Sequence, residues 1–232
     1  MFRARVPALA FVLTAAAPLL SACIGDEPTV ALLVADGSDT ASRAVDVERF
    51  TDRVEATCDE CRVSVYDAEG DAATQKSQAR QAEASSADVV VVVPVDADGL
   101  DTLTSSDLPV VSLGELVPAS DRFVGLSGGA LPPQQGTDLA AARDVILGAE
   151  ETMTYAPTRA MSERAADVAV AFLADTTVPD GEVVDGVQSW LYEGQEVTLD
   201  TLTSVLVGEG VVTLDELCSG ETEKRCTRLG LR

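Results

Sequence analysis

Five consecutive valines, Val89 to Val93, constrain the fold of this chain more than any other stretch. Asp88 and Pro94 bound the run, which therefore has the length of a strand and is too short to cross a membrane. A strand that is apolar on both faces is typical of a parallel sheet covered by helices. The run therefore predicts a central strand of an α/β domain.

The segments around the valine run alternate between strand and helix patterns. The predicted strands cover 30–35, 62–66, 88–93, 108–113 and 122–126, and the predicted helices cover 41–57, 71–85 and a short stretch from 97. This order predicts a three-layer sandwich with a doubly wound parallel sheet. After a turn-rich segment, 127–136, we expect helices over 138–147 and 158–174, strands over 151–155, 183–192 and 195–198, and short helices over 199–207 and 213–218.

The N-terminal segment has the layout of a secretory signal. Arg3 and Arg5 precede an apolar run that ends in Leu20-Ser21-Ala22-Cys23. The cysteine after Leu-Ser-Ala resembles the lipobox of bacterial lipoproteins. That resemblance implies removal of residues 1–22, diacylglycerol (and usually a further acyl chain) on Cys23, and anchoring at the outer face of the cell membrane by two or more chains. Residues 23–29 then form a tether. The alternative is an ordinary signal peptide with a chance cysteine.

Charge and composition exclude several function classes. Removal of residues 1–22 takes away two arginines and no acid, which changes the net charge from −23 to −25 and argues against nucleic acid as a partner. The chain has no histidine and no asparagine, so Ser-His-Asp and Cys-His catalysis and the commonest zinc ligand are excluded. The aspartates at 96, 98 and 101 do not have calcium-loop spacing. We expect no catalytic residue, no metal and no cofactor.

Four cysteines remain besides Cys23: Cys58, Cys61, Cys218 and Cys226. An even number in an oxidising compartment predicts two disulfides, with three possible pairings. The local pairs, Cys58 with Cys61 and Cys218 with Cys226, are favoured. Asp59 and Glu60 would raise the thiol pKa of the first pair, which argues for a structural bond and against a redox motif.

Several segments are similar, in the same order, to one family. They are 58–78, Pro94-Val95-Asp96, 152–158 (Thr-Met-Thr-Tyr-Ala-Pro-Thr), 197–200 and 213–220 (Thr-Leu-Asp-Glu-Leu-Cys-Ser-Gly). The chain resembles the sugar-binding proteins of ABC importers, of the ribose and xylose type, in their actinobacterial lipoprotein form. The resemblance implies a type I periplasmic-binding-protein fold with an N-terminal lobe over 30–127.

The resemblance also implies a reduced second lobe. Two lobes of domain size would need about a hundred residues more than this chain has, and the gap falls between 127 and 138. The C-terminal part, 128–232, would hold a helix at 158–174 that packs back on the first lobe, a remnant of the second lobe, and a tail.

Ligand-contacting positions can be carried over from the family residue by residue. They fall on Asp46, Asp67, Asp96 and Tyr155, and Asp67 stands where the family has asparagine. Another acidic position falls on Gly136 and is lost, and Ala156 replaces the lysine that usually follows the tyrosine.

The function implied by the resemblance is not enzymatic. In the family, a sugar is captured between two lobes and delivered to an ABC permease, so this chain is expected to be such a binding protein or its degenerate descendant. The alternative is an interaction or sensor lipoprotein that docks a permease or a signalling partner without a ligand. A hydrolase is a weaker third option, because no spacing singles out a pair of carboxylates.

Overall fold

The computed structural model describes residues 27–35, 45–128 and 138–231. The strands are β1 (Thr29–Val34), β2 (Arg62–Asp67), β3 (Val89–Val92), β4 (Val110–Gly114), β5 (Arg122–Leu126), β6 (Thr152–Tyr155), β7 (Glu182–Val184), β8 (Val187–Tyr192) and β9 (Gln195–Thr198). The α-helices are α1 (Val47–Thr57), α2 (Ala72–Ala84), α3 (Asp101–Thr104), α4 (Asp138–Leu147), α5 (Thr158–Leu173), α6 (Leu214–Leu217) and α7 (Glu223–Leu229). Ala97–Leu100 and Gly220–Thr222 are 3₁₀-helices, and Thr203–Val207 is a π-helix.

A seven-stranded sheet forms the centre of the molecule, in the order β2-β1-β3-β4-β5-β8-β7. Its neighbouring strands are parallel except for β7, which pairs antiparallel with β8. The predicted α/β class with a mostly parallel sheet is confirmed. The valine strand lies third from one edge and is fully buried, because helices cover both faces of the sheet there.

Alternate residues along each strand divide the core into two layers, since successive side chains of a strand point to opposite faces. One face, with Leu32, Val91 and Leu113, is buried against α1 and α5. The other face, with Leu33, Val90 and Val92, is buried with residues of α2, α3 and the 3₁₀-helix between β3 and α3. Together these layers form the three-layer sandwich.

Helix α5 follows the C-terminal strand β6 in sequence but packs against α1 and strands β3 to β5. Its alanines at 165, 166 and 169 have no exposed surface, so the helix backbone lies close to its neighbours. Arg53 of α1 donates two hydrogen bonds to the carboxylate of Asp167, at 2.6 and 3.1 Å. Segments from both halves of the chain therefore build one layer.

The single strand predicted over 183–192 is two strands in the structure. Residues 182–192 fold back on themselves as the β7–β8 hairpin, whose turn holds Asp185 at φ +50° and Gly186 at φ +85°. Asp-Gly is a strong two-residue hairpin signal, because both positions need positive φ. Strand β8 extends the main sheet beside β5, whereas β9 pairs antiparallel with β6 in a separate two-stranded sheet.

A smaller unit, here called the C-terminal module, consists of residues 138–155 and 195–231. Helix α4 packs on β6, α6 and α7, around buried residues that include Ile146, Val197 and Leu206. The structure pairs Cys218 with Cys226 inside this core, and Cys58 with Cys61 between α1 and β2. Among the described residues, no helix is both long and hydrophobic enough to cross a bilayer.

Replacing both Cys218 and Cys226 by alanine should lower the free energy of unfolding by about 2–3 kcal/mol, because the unfolded chain regains the entropy of the open loop. The matched control replaces Cys58 and Cys61 by alanine. Its loop is shorter, with a separation of 3 residues against 8, so the loss should be smaller. Urea denaturation of the oxidised proteins measures both values, and the reverse order would contradict this ranking.

Candidate functional site

The chain reverses its direction of travel across the sheet next to β1. From β1 it moves outward to β2, and it then returns to place β3 on the other side of β1. In open α/β sheets the loops diverge at such a switch point and leave a crevice outside the carboxyl ends of the strands. Asp67 ends β2, Asp46 caps the helix that follows β1, and Asp96 precedes the 3₁₀-helix that follows β3. The structure therefore brings these three predicted residues to the same edge of the sheet.

Asp96 has the most available carboxylate of the three. It occupies the N-cap position of the 3₁₀-helix Ala97–Leu100, but its exposed side chain makes no capping hydrogen bond. Its main-chain carbonyl accepts from the N–H of Gly99 at 3.1 Å. A Cβ at position 99 would lie 3.0 Å from Oδ2 of Asp96, so glycine leaves room for the carboxylate over this turn. This carboxylate is free to accept hydrogen bonds from a ligand.

Asp67 is also exposed, but one of its oxygens is engaged. Oδ1 accepts from the N–H of Glu69 at 2.8 Å and stabilises a turn in which Glu69 has φ +50°. The helix cap that follows is supplied by Asp71, whose Oδ1 accepts from the N–H of Thr74 at 2.6 Å. The turn therefore fixes the Asp67 side chain, and its second carboxylate oxygen, Oδ2, is left to accept a hydrogen bond from a ligand.

Asp46 is held between two helices. Its Oδ1 caps α1 by accepting from the N–H of Arg49 at 2.9 Å. Its own N–H donates to Oγ of Ser162, on α5, at 2.7 Å, and Ser162 is fully buried. Asp46 is thus fixed where the first helix meets the helix that returns from the C-terminal module.

Tyr155 lies at the end of β6 and is only 2% exposed. Burial raises the pKa of its hydroxyl to about 12, and the nearby carboxylates of Glu209, Asp138 and Asp46 act in the same direction, while Arg159 opposes them. Burial, with the charge of Asp46 among the smaller causes, therefore keeps the tyrosine neutral. A neutral phenol at this position is a hydrogen-bond donor as well as an acceptor.

We expect the ionisation of Tyr155 to be centred near pH 12. Since the folded-state pKa is above the ordinary tyrosine pKa of about 10, the neutral form stabilises the fold at lower pH, and this contribution is lost as the pH rises from 10 through 12. Absorbance at the tyrosinate band, measured for the wild type minus Tyr155→Phe, gives the midpoint. A difference titration centred at or below pH 10 would contradict the buried position.

Cys23, the predicted lipidation site, lies outside the described residues. The described residues contain no group of three or more side chains suited to hold a metal ion.

A shallow pocket at the opposite edge of the sheet is lined by Arg122, Phe172 and Trp190 among others. Two of its polar groups are already engaged: Arg122 lies 5.0 Å above the ring of Phe172, and Nε1 of Trp190 donates to the carbonyl of Pro179.

Sequence reasoning missed the polar residues that support this edge, namely the buried Gln75 and Ser162 and the partly exposed Gln78 and Arg159. Gln75 is 1% exposed and shares one helix face with the buried Ala79 and Ala82. A glutamine on an otherwise apolar face was the available signal, because a buried amide needs partners. Arg159 reaches from α5 to the carbonyl of Glu209 in the C-terminal module, at 3.3 Å.

No protein-family model matches the sequence, and no curated protein matches it. Solved structures do match. An ABC transporter solute-binding protein from Clostridium phytofermentans with bound β-D-glucose aligns with a TM-score of 0.65 and 11% identity, over 82% of this chain and 99% of that one. A periplasmic ribose ABC transporter protein from Conexibacter woesei aligns with a TM-score of 0.54 and 13% identity, over 86% and 97%.

The fructose-binding periplasmic domain of a hybrid two-component system aligns with a TM-score of 0.55 and 10% identity, over 87% of this chain and 98% of that one. The chain has the fold of the sugar-binding ABC transporter solute-binding proteins. The first and the third of these neighbours are a solute-binding protein and a fructose-binding domain, which is consistent with the expectation that this chain is not an enzyme.

Proposed function

We propose that this protein is a lipid-anchored, extracytoplasmic solute-binding protein that takes a small sugar at the carboxyl edge of its sheet and presents it to an ABC permease. The observation that carries the proposal is the convergence of Asp46, Asp67 and Asp96 on the switch point of the sheet. The similarity to solved binding proteins for glucose, ribose and fructose supports it.

The chemistry of the edge suits a neutral, hydroxyl-rich ligand. Carboxylates accept strong hydrogen bonds from hydroxyl groups, and Asp96 has a carboxylate without a capping partner. The net charge of −23 disfavours phosphorylated or acidic sugars. Aromatic residues make up only 4% of the chain, so recognition would depend on hydrogen bonds more than on ring stacking.

The C-terminal module would supply the opposing wall of the site. We propose that it is a reduced second lobe, with the first lobe over 30–127 and the remainder in 128–232. The sheet of this module has two strands, β6 and β9, whereas the main sheet has seven. A smaller wall leaves more of the ligand in water, so we expect weaker binding than two full lobes would give.

Isothermal calorimetry with D-glucose, D-ribose, D-xylose and D-fructose tests the proposal. We expect heat from at least one of these sugars, and a 10- to 100-fold weaker affinity after Asp96→Ala, since a hydrogen bond to a charged group is lost. Asp98→Ala is the matched control, because Asp98 is an exposed aspartate in the same turn, and it should bind as the wild type does. Equal losses in both variants would contradict the assignment of Asp96.

The lipid anchor is tested separately. Replacing Cys23 by serine removes the acylated thiol, so the protein should move from the membrane fraction to the soluble extracytoplasmic fraction. Cell fractionation followed by detection of an epitope on the C-terminus measures this. Retention of the Cys23→Ser variant in the membrane fraction would contradict the anchor.

A second candidate function is a sensor or interaction lipoprotein without a ligand. Two observations favour it: the small β6–β9 sheet, and the similarity to a periplasmic domain of a two-component system. In that case calorimetry would show no heat with any of the sugars, and affinity purification of the membrane-anchored protein would retain a permease or a sensor kinase.

A further inference from the structure

We propose that Gln75 and Gln78, on one face of α2, are positioning residues that set the places of Asp96 and Asp67. This inference rests on the proposed function, because it concerns the same site. Neither glutamine is among the residues predicted to touch the ligand. Each instead bonds to the main chain where a strand leaves the sheet.

Gln75 bridges the exit of β3. Its Nε2 donates to the carbonyl of Val93 at 2.8 Å, and its Oε1 accepts from the N–H of Val95 at 2.8 Å. Between them lies Pro94, which has no N–H and cannot continue a strand ladder. The side-chain amide of Gln75 therefore bonds to the main chain on both sides of the proline, where a neighbouring strand would otherwise do so. These bonds lie directly before Asp96.

Gln78 makes one hydrogen bond to the main chain at the exit of β2. It lies three residues further along α2, on the same side of the helix, and its Nε2 donates to the main-chain carbonyl of Asp67 at 2.6 Å. Within the described residues, its Oε1 is a buried atom without a hydrogen-bond partner. A buried acceptor without a partner lowers stability, so stability alone does not account for this residue.

One turn of one helix thus fixes two strand exits that flank β1. Burial of Gln75 limits its rotamers, and its two hydrogen bonds fix the orientation of the amide plane. The distance between Asp67 and Asp96 is then set by a rigid support, and a site built this way needs little reorganisation when a ligand binds.

Hydrogen exchange of the apoprotein tests the support without any ligand. In Gln75→Met, which keeps the length of the side chain and removes both polar atoms, the N–H of Val95 should exchange at least about tenfold faster, while the amides of β3 keep their protection. Gln81→Met, at an exposed position of the same helix, is the matched control and should change neither. Unchanged exchange at Val95 in Gln75→Met would overturn the proposal.

Gln75→Glu adds a pH-dependent rescue that a merely structural role for an amide would not require. When protonated, glutamic acid has one O–H donor and one carbonyl acceptor, which is the pattern that Gln75 uses. Burial raises the pKa of a carboxyl group, so the protonated form prevails at acidic pH. At pH 7.5 the ionised carboxyl has no donor for the carbonyl of Val93 and repels that oxygen, which displaces the loop. The protection of Val95, taken relative to the wild type at each pH, should therefore be lower at pH 7.5 and return at pH 5. Protection that is lost equally at both pH values would overturn the role of the amide.

The link to the ligand is tested by a double-mutant cycle with the sugar that gives heat. Gln75→Met should weaken binding roughly tenfold in the wild type but have no further effect in Asp96→Ala, because it acts through Asp96. Additive losses would overturn the positioning role. If the wild type binds none of the sugars, the proposed function fails, while the exchange at Val95 still decides whether Gln75 supports the loop.

Discussion

Phe50→Ala should lower the free energy of unfolding by about 3–5 kcal/mol, one of the two largest effects expected in this protein. Phe50 is fully buried on α1 and belongs to the same cluster as Leu32 of β1 and Met161 and Ala165 of α5. Loss of the ring leaves a cavity where helix, sheet and returning helix meet, and the closely packed alanines of α5 have no side chains that can fill it. Urea denaturation followed by far-ultraviolet circular dichroism measures the change.

A second variant at position 50 tests whether the loss of stability depends on the apolar volume that is removed. Phe50→Leu retains most of the apolar volume, so the loss should be clearly smaller than for alanine. Equal losses for the two variants would show that the ring is not packed as described. A loss below about 1 kcal/mol for alanine would show that α5 does not cover α1 in solution.

Leu206→Ala, in the C-terminal module, should destabilise the protein by about 2–5 kcal/mol. Leu206 is fully buried in the π-helical segment and packs in the cluster with Ile146 and Val197. The matched control is Leu147→Ala, since Leu147 lies on α4 of the same module and is 40% exposed. The control should change stability by well under half as much, because less apolar surface is lost from the interior.

The same variant shows whether the module and the sandwich unfold together. Arg159, on the α5 helix of the sandwich, donates to the carbonyl of Glu209 in the module, so we expect a single urea transition whose midpoint shifts in Leu206→Ala. Two transitions, of which only one shifts, would show that the C-terminal module unfolds independently and would weaken its role as a wall of the site.

The main sheet was predictable because its strands carry a local signal. Val89–Val92 can be recognised as a buried parallel strand from its own sequence, and Asp71 as a helix cap from the alanine- and glutamine-rich segment that it precedes. The choice of partner for β8 was not predictable in this way. Arg122 of β5 pairs with Gln188 of β8, and no local pattern decides between distant strands of similar composition. The Asp185-Gly186 turn was the local signal that the prediction overlooked.

In the candidate site, too, some features were predictable from the sequence and others were not. The aspartates were implied by the resemblance to the family, and their common edge agrees with the predicted order of strands and helices, since carboxyl ends of parallel strands share one edge. Which carboxylate is free did not follow, because capping and turn bonds depend on geometry within a few residues. Asp46 and Asp67 each use an oxygen locally, whereas Asp96 does not cap its helix. The supporting amide of Gln75 became visible only once Val93 and Val95 were placed on either side of it.

Chemical-shift mapping with the sugar tests the central claim most directly. A ¹⁵N-labelled sample of the soluble chain is titrated with D-glucose, D-ribose and D-fructose, and each amide is followed. The account predicts that the shifted amides cluster at the carboxyl edge of the main sheet, at Glu69, Val95 and Gly99, and at Tyr155 of β6, with Arg122 and Gln188 at the opposite edge unchanged. Shifts confined to the pocket beside Arg122 and Trp190, or no shifts with any of the sugars, would contradict it.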